Sequence, residues 1–95
     1  MTGPKPITVR AEKSAIAGYV GLSEEQRRRF KDCAAGIERD RELGKPYHGD
    51  VNRRMVSVPG DELDPAFDLM YVIGQDAEGK DEARIVFVFP TLRSY

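Results

Sequence analysis

A chain of 95 residues, 40% hydrophobic and 33% charged, has room for one soluble globular domain and no second core. No apolar run approaches the ~20 residues that a membrane span needs. One cysteine excludes an internal disulfide and a multi-cysteine zinc site, and a net charge of −1 points by itself to no partner. The distribution of charge says more. Residues 10 to 54 hold eleven Lys or Arg against eight Asp or Glu, a balance of +3, whereas residues 55 to 83 hold Lys80 against eight acids, a balance of −7. Such a split can orient a partner, but it is not the uniformly basic footprint of a nucleic-acid-binding domain.

Residues 1 to 6, with two prolines and a glycine, read as a loose leader to a single domain over residues 7 to 95. The leader is polar and short, without the apolar segment of a secretory signal, and predicts a cytoplasmic protein. Ile7 to Arg10 is a short β-favouring run. From Ala11 to Val20 the positions Ala15, Ile16, Tyr19 and Val20 recur at helical spacing, although Gly18 and Gly21 weaken that helix. These glycines lack the surroundings of a phosphate loop.

Ser23, followed by Glu24, Glu25 and Gln26, makes a capping box and starts a second helix. The helix is expected to run to about Leu43, with Phe30, Cys33, Ala34 and Ile37 buried and Gly44 stopping it. Arg27, Arg28, Arg29 and Lys31 crowd its first half, where cations oppose the helix dipole. They form either a solvated face paired with neighbouring acids or a surface for an acidic partner. Lys45 to Asp50 reads as a turn-rich connection, and its lone His48, with only Asp50 near, is no metal ligand set. Among the serines no Ser-His-Asp arrangement can be argued.

A strand follows from Val51 to Val58. Its Val56 and Val58 should face the helices, leaving Arg53, Met55 and Ser57 on the opposite face. Past an acidic loop from Asp61 to Ala66, the segments Phe67 to Gly74 and Arg84 to Pro90 form a hairpin. Phe67, Leu69, Tyr71 and Ile73 alternate with polar or smaller residues, and Ile85, Phe87 and Phe89 alternate with Val86 and Val88. The second run is apolar throughout and predicts a central strand covered on both faces. The predicted order is β-α-α-β-β-β, an α+β domain with a helical hairpin packed on one face of a small, mainly antiparallel four-stranded sheet.

That order, with three local segments, resembles the RelE/ParE superfamily of bacterial toxins from type II toxin–antitoxin pairs. The segments are GKPYHGD (Gly44 to Asp50), FDLMYVI (Phe67 to Ile73) and ARIVFVFPTLRSY (Ala83 to Tyr95). The resemblance implies an mRNA endoribonuclease that needs no metal or cofactor, inhibits translation on the ribosome and is neutralised by a bound antitoxin. It also implies catalytic roles for Arg53, Arg93 and Tyr95, RNA contacts by Lys45, Arg54 and Arg84, and an antitoxin surface that includes Arg27, Arg28, Arg29 and Lys31. The first and last strands would offer the antitoxin unpaired edges.

Asp68 departs from the pattern. It stands where the ribonuclease members of the superfamily carry an arginine, and Met55 and Ser57 stand near the positions of two lysines. A carboxylate at that point repels a phosphate. Two further readings therefore stay open: a ParE-like toxin that binds DNA gyrase without nuclease chemistry, and a non-toxic protein-binding module that kept the fold.

Overall fold

The computed structural model describes residues 6–91, so Arg93 and Tyr95 lie outside the described residues, as does all of the expected leader but Pro6. The elements are β1 (Thr8–Ala11), α1 (Lys13–Val20), α2 (Glu24–Arg39), β2 (Lys45–Tyr47), β3 (Asp50–Val58), β4 (Phe67–Gln75) and β5 (Asp81–Pro90). They make a five-stranded sheet in the order β1-β5-β4-β3-β2, with β1 parallel to β5 and the other pairs antiparallel. The α+β class is the one expected.

The fifth strand is β2, inside the segment read as a connection. His48 and Gly49 both have positive φ, 50° and 79°, and Tyr47 pairs with Asp50 across them. Such a two-residue turn matches the twist of a hairpin and folds Lys45–Tyr47 back onto β3. The last strand is not an edge as expected, because the parallel partner β1 lies outside it; the edges of the sheet are β1 and β2.

Both helices pack on one face. Ser23 Oγ accepts from the Gln26 amide at 3.1 Å, and Gln26 Oε1 accepts from the Ser23 amide at 2.8 Å, so the predicted capping box starts α2. The helix ends at Arg39, before the predicted Leu43, where Asp40 turns to extended backbone. Gly44 serves a different purpose from the expected stop. A Cβ there would lie 2.9 Å from the Tyr71 ring and 3.0 Å from the Met55 carbonyl oxygen, so only glycine lets the chain pass so close to the sheet. Gly18 answers a similar need, since a Cβ would sit 2.3 Å from the Val88 carbonyl oxygen where α1 lies on β5.

The core gathers Ala15 of α1 and Phe30 and Ile37 of α2 over Val58, Phe67, Leu69, Tyr71, Ile85 and Val88. Of the stripe expected on α1, Ala15 is buried and Tyr19 meets Phe30 edge-on at 5.0 Å, while Ile16 and Val20 are exposed. Cys33 packs against this core, and burial pushes its thiol up to about 11, which makes it an inert packing residue. Tyr71 is fully buried. Its hydroxyl donates to the Arg41 carbonyl at 2.7 Å and accepts from the Gly44 amide at 2.9 Å, tying β4 to the segment after α2.

In β5 the expected alternation fails at one point. Met70 pairs with Phe87 but Tyr71 pairs with Ile85, so Val86 is an extra residue in the strand, a β-bulge. The bulge changes the phase of the side chains. Ile85 and Val88 both enter the core, and Phe87, predicted on the side of Ile85, is 52% exposed on the opposite face. An unbroken apolar run therefore codes for an inner strand covered by helices on one face only.

Candidate nucleic-acid interface

Cross-strand register sorts the uncovered face of the sheet into rows. Arg10 of β1 pairs with Arg84 of β5, Arg84 with Val72 of β4, and Val72 with Arg53 of β3. Next along the strands comes an apolar row of Met55, Met70 and Phe87, with Lys45 at its edge opposite Met55. Beyond it lie Ser57, Asp68 and Phe89. The face is thus basic at one end, apolar in the middle and acidic at the other.

The basic row borders a cleft of about 520 Å³ lined by Glu12, Lys13, Ser14, Arg53, Val72, Arg84 and Val86. Arg53 is exposed and has no ion pair among the described residues. Arg84 is more constrained: its Nη1 lies 3.5 Å from Glu12 Oε1, and its buried Nε, without a hydrogen bond among the described residues, lies 3.8 Å from Glu82 Oε1. Glu12 also reaches Arg10 at 4.0 Å. That acid precedes α1 at the N-cap position but makes no side-chain cap, because its carboxylate is turned to the arginines. Ser14 donates its hydroxyl to the Val86 carbonyl and secures the first turn of α1 against the bulge.

At the acidic end, Asp68 Oδ1 accepts from the Thr91 hydroxyl at 3.0 Å. Strand β5 leaves the sheet here, and Arg93 and Tyr95 follow beyond the described residues. Arg53 lies four positions along β3 from Ser57, the residue level with Asp68, which corresponds to roughly 13 Å at ~3.3 Å per residue.

Arg54, expected with the RNA contacts, points to the helical face and is 7% exposed. Its Nη1 donates to the Gly44 carbonyl at 2.8 Å and its Nε to the Val51 carbonyl at 2.8 Å, so it buttresses the hairpin of β2 and β3 and cannot meet a ligand on the open face. Period-2 alternation separates it from Arg53.

Most of the basic run on α2 also has internal partners. Arg27 donates to the Tyr19 and Val20 carbonyls at 3.3 and 2.7 Å and stacks over the Tyr19 ring, which places a cation at the C-terminus of α1, where the dipole favours it. Arg29 holds Glu25 at 3.2 Å and Asp61 at 2.9 Å; its hydrogen bond is the chief reason the Asp61 carboxyl titrates below its ordinary value. Arg28 pairs with Glu25 and with Asp32. The hydrogen bond from Arg28 lowers the Glu25 carboxyl in turn. Lys31 has no acid partner among the described residues and is exposed. The cost of cations early in α2 is therefore offset within the molecule, mainly by contacts to α1 and to the acidic loop.

Among the described residues no cluster of metal-binding side chains occurs, and no helix is long and apolar enough to cross a membrane. The residues missed by sequence reasoning are Glu12 and Phe87. The proximity of Glu12 to Arg84 depends on the parallel pairing of β1 with β5, and the exposure of Phe87 depends on the bulge.

No family model matches the sequence, and no curated protein matches it. A solved structure of the E. coli toxin RelE, an arginine-to-alanine double mutant in the free state, aligns over 90% of this chain and 83% of its own, with a TM-score of 0.70 and 10% sequence identity. At that identity the likeness speaks to architecture alone. Two helices against one face of a mixed sheet, with the other face open, give this chain a RelE-like fold.

Proposed function

We propose that the chain is the toxin of a toxin–antitoxin pair and cuts messenger RNA by a metal-independent reaction on the open face of the sheet. The observation that carries this reading is Arg53, without an ion pair among the described residues, in one row with Arg84 on the face of the sheet opposite the helices. In such a reaction the 2′-hydroxyl attacks the adjacent phosphorus, a 2′,3′-cyclic phosphate forms and the 5′-oxygen leaves with a proton. The protein must bind phosphate, stabilise the added negative charge and move protons. Guanidinium groups serve the first two needs without a metal. Arg93 and Tyr95 are proposed as the charge stabiliser and the acid or base, with Arg53, Arg84 and Lys45 along the RNA.

An antitoxin would cover α1 and α2. Ile16 and Val20 are exposed on α1, with Lys31 of α2 bordering the same hollow as Ile16, which suits an acidic amphipathic segment. Expression without an antitoxin should stop growth, and Arg93→Ala with Tyr95→Phe should restore it; a toxic double variant would reject those roles.

Asp68 favours a second reading. Its carboxylate faces the open side and is hydrogen-bonded to Thr91, so one end of the face repels phosphate. A toxin that binds DNA gyrase would tolerate this. Filamentation and DNA damage with intact messages would identify it.

A further inference from the structure

We propose that the basic end of the open face is a nucleotide subsite for a single-stranded RNA, with one base stacked on Phe87 and the adjoining phosphate held between Arg53 and Arg84. The inference rests on the RNA-binding reading above and deepens it, because it names the register of the strand on the open face, at the end away from Asp68.

Three observations converge on it. Among the four phenylalanines, all within the described residues, Phe87 is the one that is exposed, at 52%, and the bulge at Val86 is what places it on the open face. An exposed aromatic beside a basic groove is the usual means of binding single strands, since every base has a face to stack while cations follow the backbone. Second, Arg53 and Arg84 flank Val72, and their backbones are therefore roughly 10 Å apart, twice the ~4.8 Å between neighbouring strands. Two guanidinium groups of that reach can close on one phosphate above the small Val72 side chain. Third, Phe87 belongs to the row two residues along β4, roughly 6.6 Å away, a separation comparable to that between a nucleotide's phosphate and its own base.

Charge agrees with the assignment. Arg10, Lys13, Arg53 and Arg84 stand against Glu12 and Glu82 around the cleft, an excess of two positive charges in a protein whose net charge is −1. Glu12 is paired with Arg84 and Arg10, so it would compete with a phosphate for the same guanidinium groups. Removal of that carboxylate charge should strengthen binding.

The test is fluorescence anisotropy with a short 2′-O-methyl oligoribonucleotide at low salt, carried out on the full chain. Phe87→Ala should weaken binding about tenfold, within the range measured for loss of one stacked base, and Phe87→Tyr should restore it. Arg84→Ala and Arg53→Ala should each lower the slope of log affinity against log salt by about one. Glu12→Gln should tighten binding about threefold.

The proposal is overturned if Phe87→Ala binds like wild type, if an abasic strand binds as well as the complete one, if a mononucleotide or inorganic phosphate binds as tightly as the strand, or if the strand does not bind. The methylated strand cannot be cut, so its binding is independent of nuclease activity. Phe87-dependent binding without cleavage in cells would uphold the subsite and reject the nuclease; cleavage with unchanged Phe87→Ala binding would do the reverse.

Discussion

The two faces of the same sheet are built under different constraints. On the helical face, Phe67, Leu69, Tyr71, Ile85 and Val88 are buried, and two glycines are fixed by the lack of space for a Cβ. On the open face the same strands carry Arg53, Met55, Asp68, Arg84 and Phe87, none of which belongs to the core. The helical face determines how the chain folds and the open face is available to determine what it binds. A RelE-like architecture can therefore persist at 10% identity.

The comparison can be broken most severely from the helical side. Leu69→Ala should cost about 3–4 kcal/mol, from lost transfer energy and the cavity left in the core beside Val88. Gly18→Ala should cost about 2–3 kcal/mol, because α1 must move off the Val88 carbonyl to admit a methyl group. Denaturant titration of both variants checks these values.

Adjacent arginines sharpen it. Arg54→Ala leaves the Gly44 and Val51 carbonyls without their side-chain donor and should cost about 2 kcal/mol. Arg53→Ala, one residue away on the open face, should change stability by less than about 0.5 kcal/mol. Similar losses for the two variants would remove the distinction between the faces.

The smallest effect concerns Cys33. Its thiol is raised to about 11 in the folded protein, above the ordinary value near 8.5, so the native state keeps a proton that the unfolded chain gives up. That contribution to stability is complete below about pH 8.5 and is lost as pH rises toward 11. Alkylation at pH 8 should accordingly be slower in the native protein than in the denatured one, by about tenfold or more. Equal rates would show that α2 does not seal the thiol.

Much of the helical face was legible in the sequence because period and chemistry agree there. The 3.6-residue stripe through Phe30 and Ile37, the Ser23 box and the period-2 runs through Val58 and Leu69 each satisfy local and global requirements together. What escaped depends on long-range pairing or on a change of period. An apolar run does not reveal the bulge at Val86, since every residue in it suits either face. The hairpin turn at His48-Gly49 was partly readable, because a glycine next to a residue that accepts positive φ is a turn signal. Arg84 could be named as an RNA contact, but its pairing with Glu12 follows only from β1 lying beside β5.

The central claim is that the open face acts on RNA. Its most direct test is primer extension on messages from cells expressing the wild-type chain or the Arg53→Ala, Arg84→Ala double variant at equal levels. New 5′ ends within coding regions for the wild type, lost in the variant while its fold is retained, are the predicted result. Intact messages in arrested cells, or the same cleavage from both proteins, would contradict it.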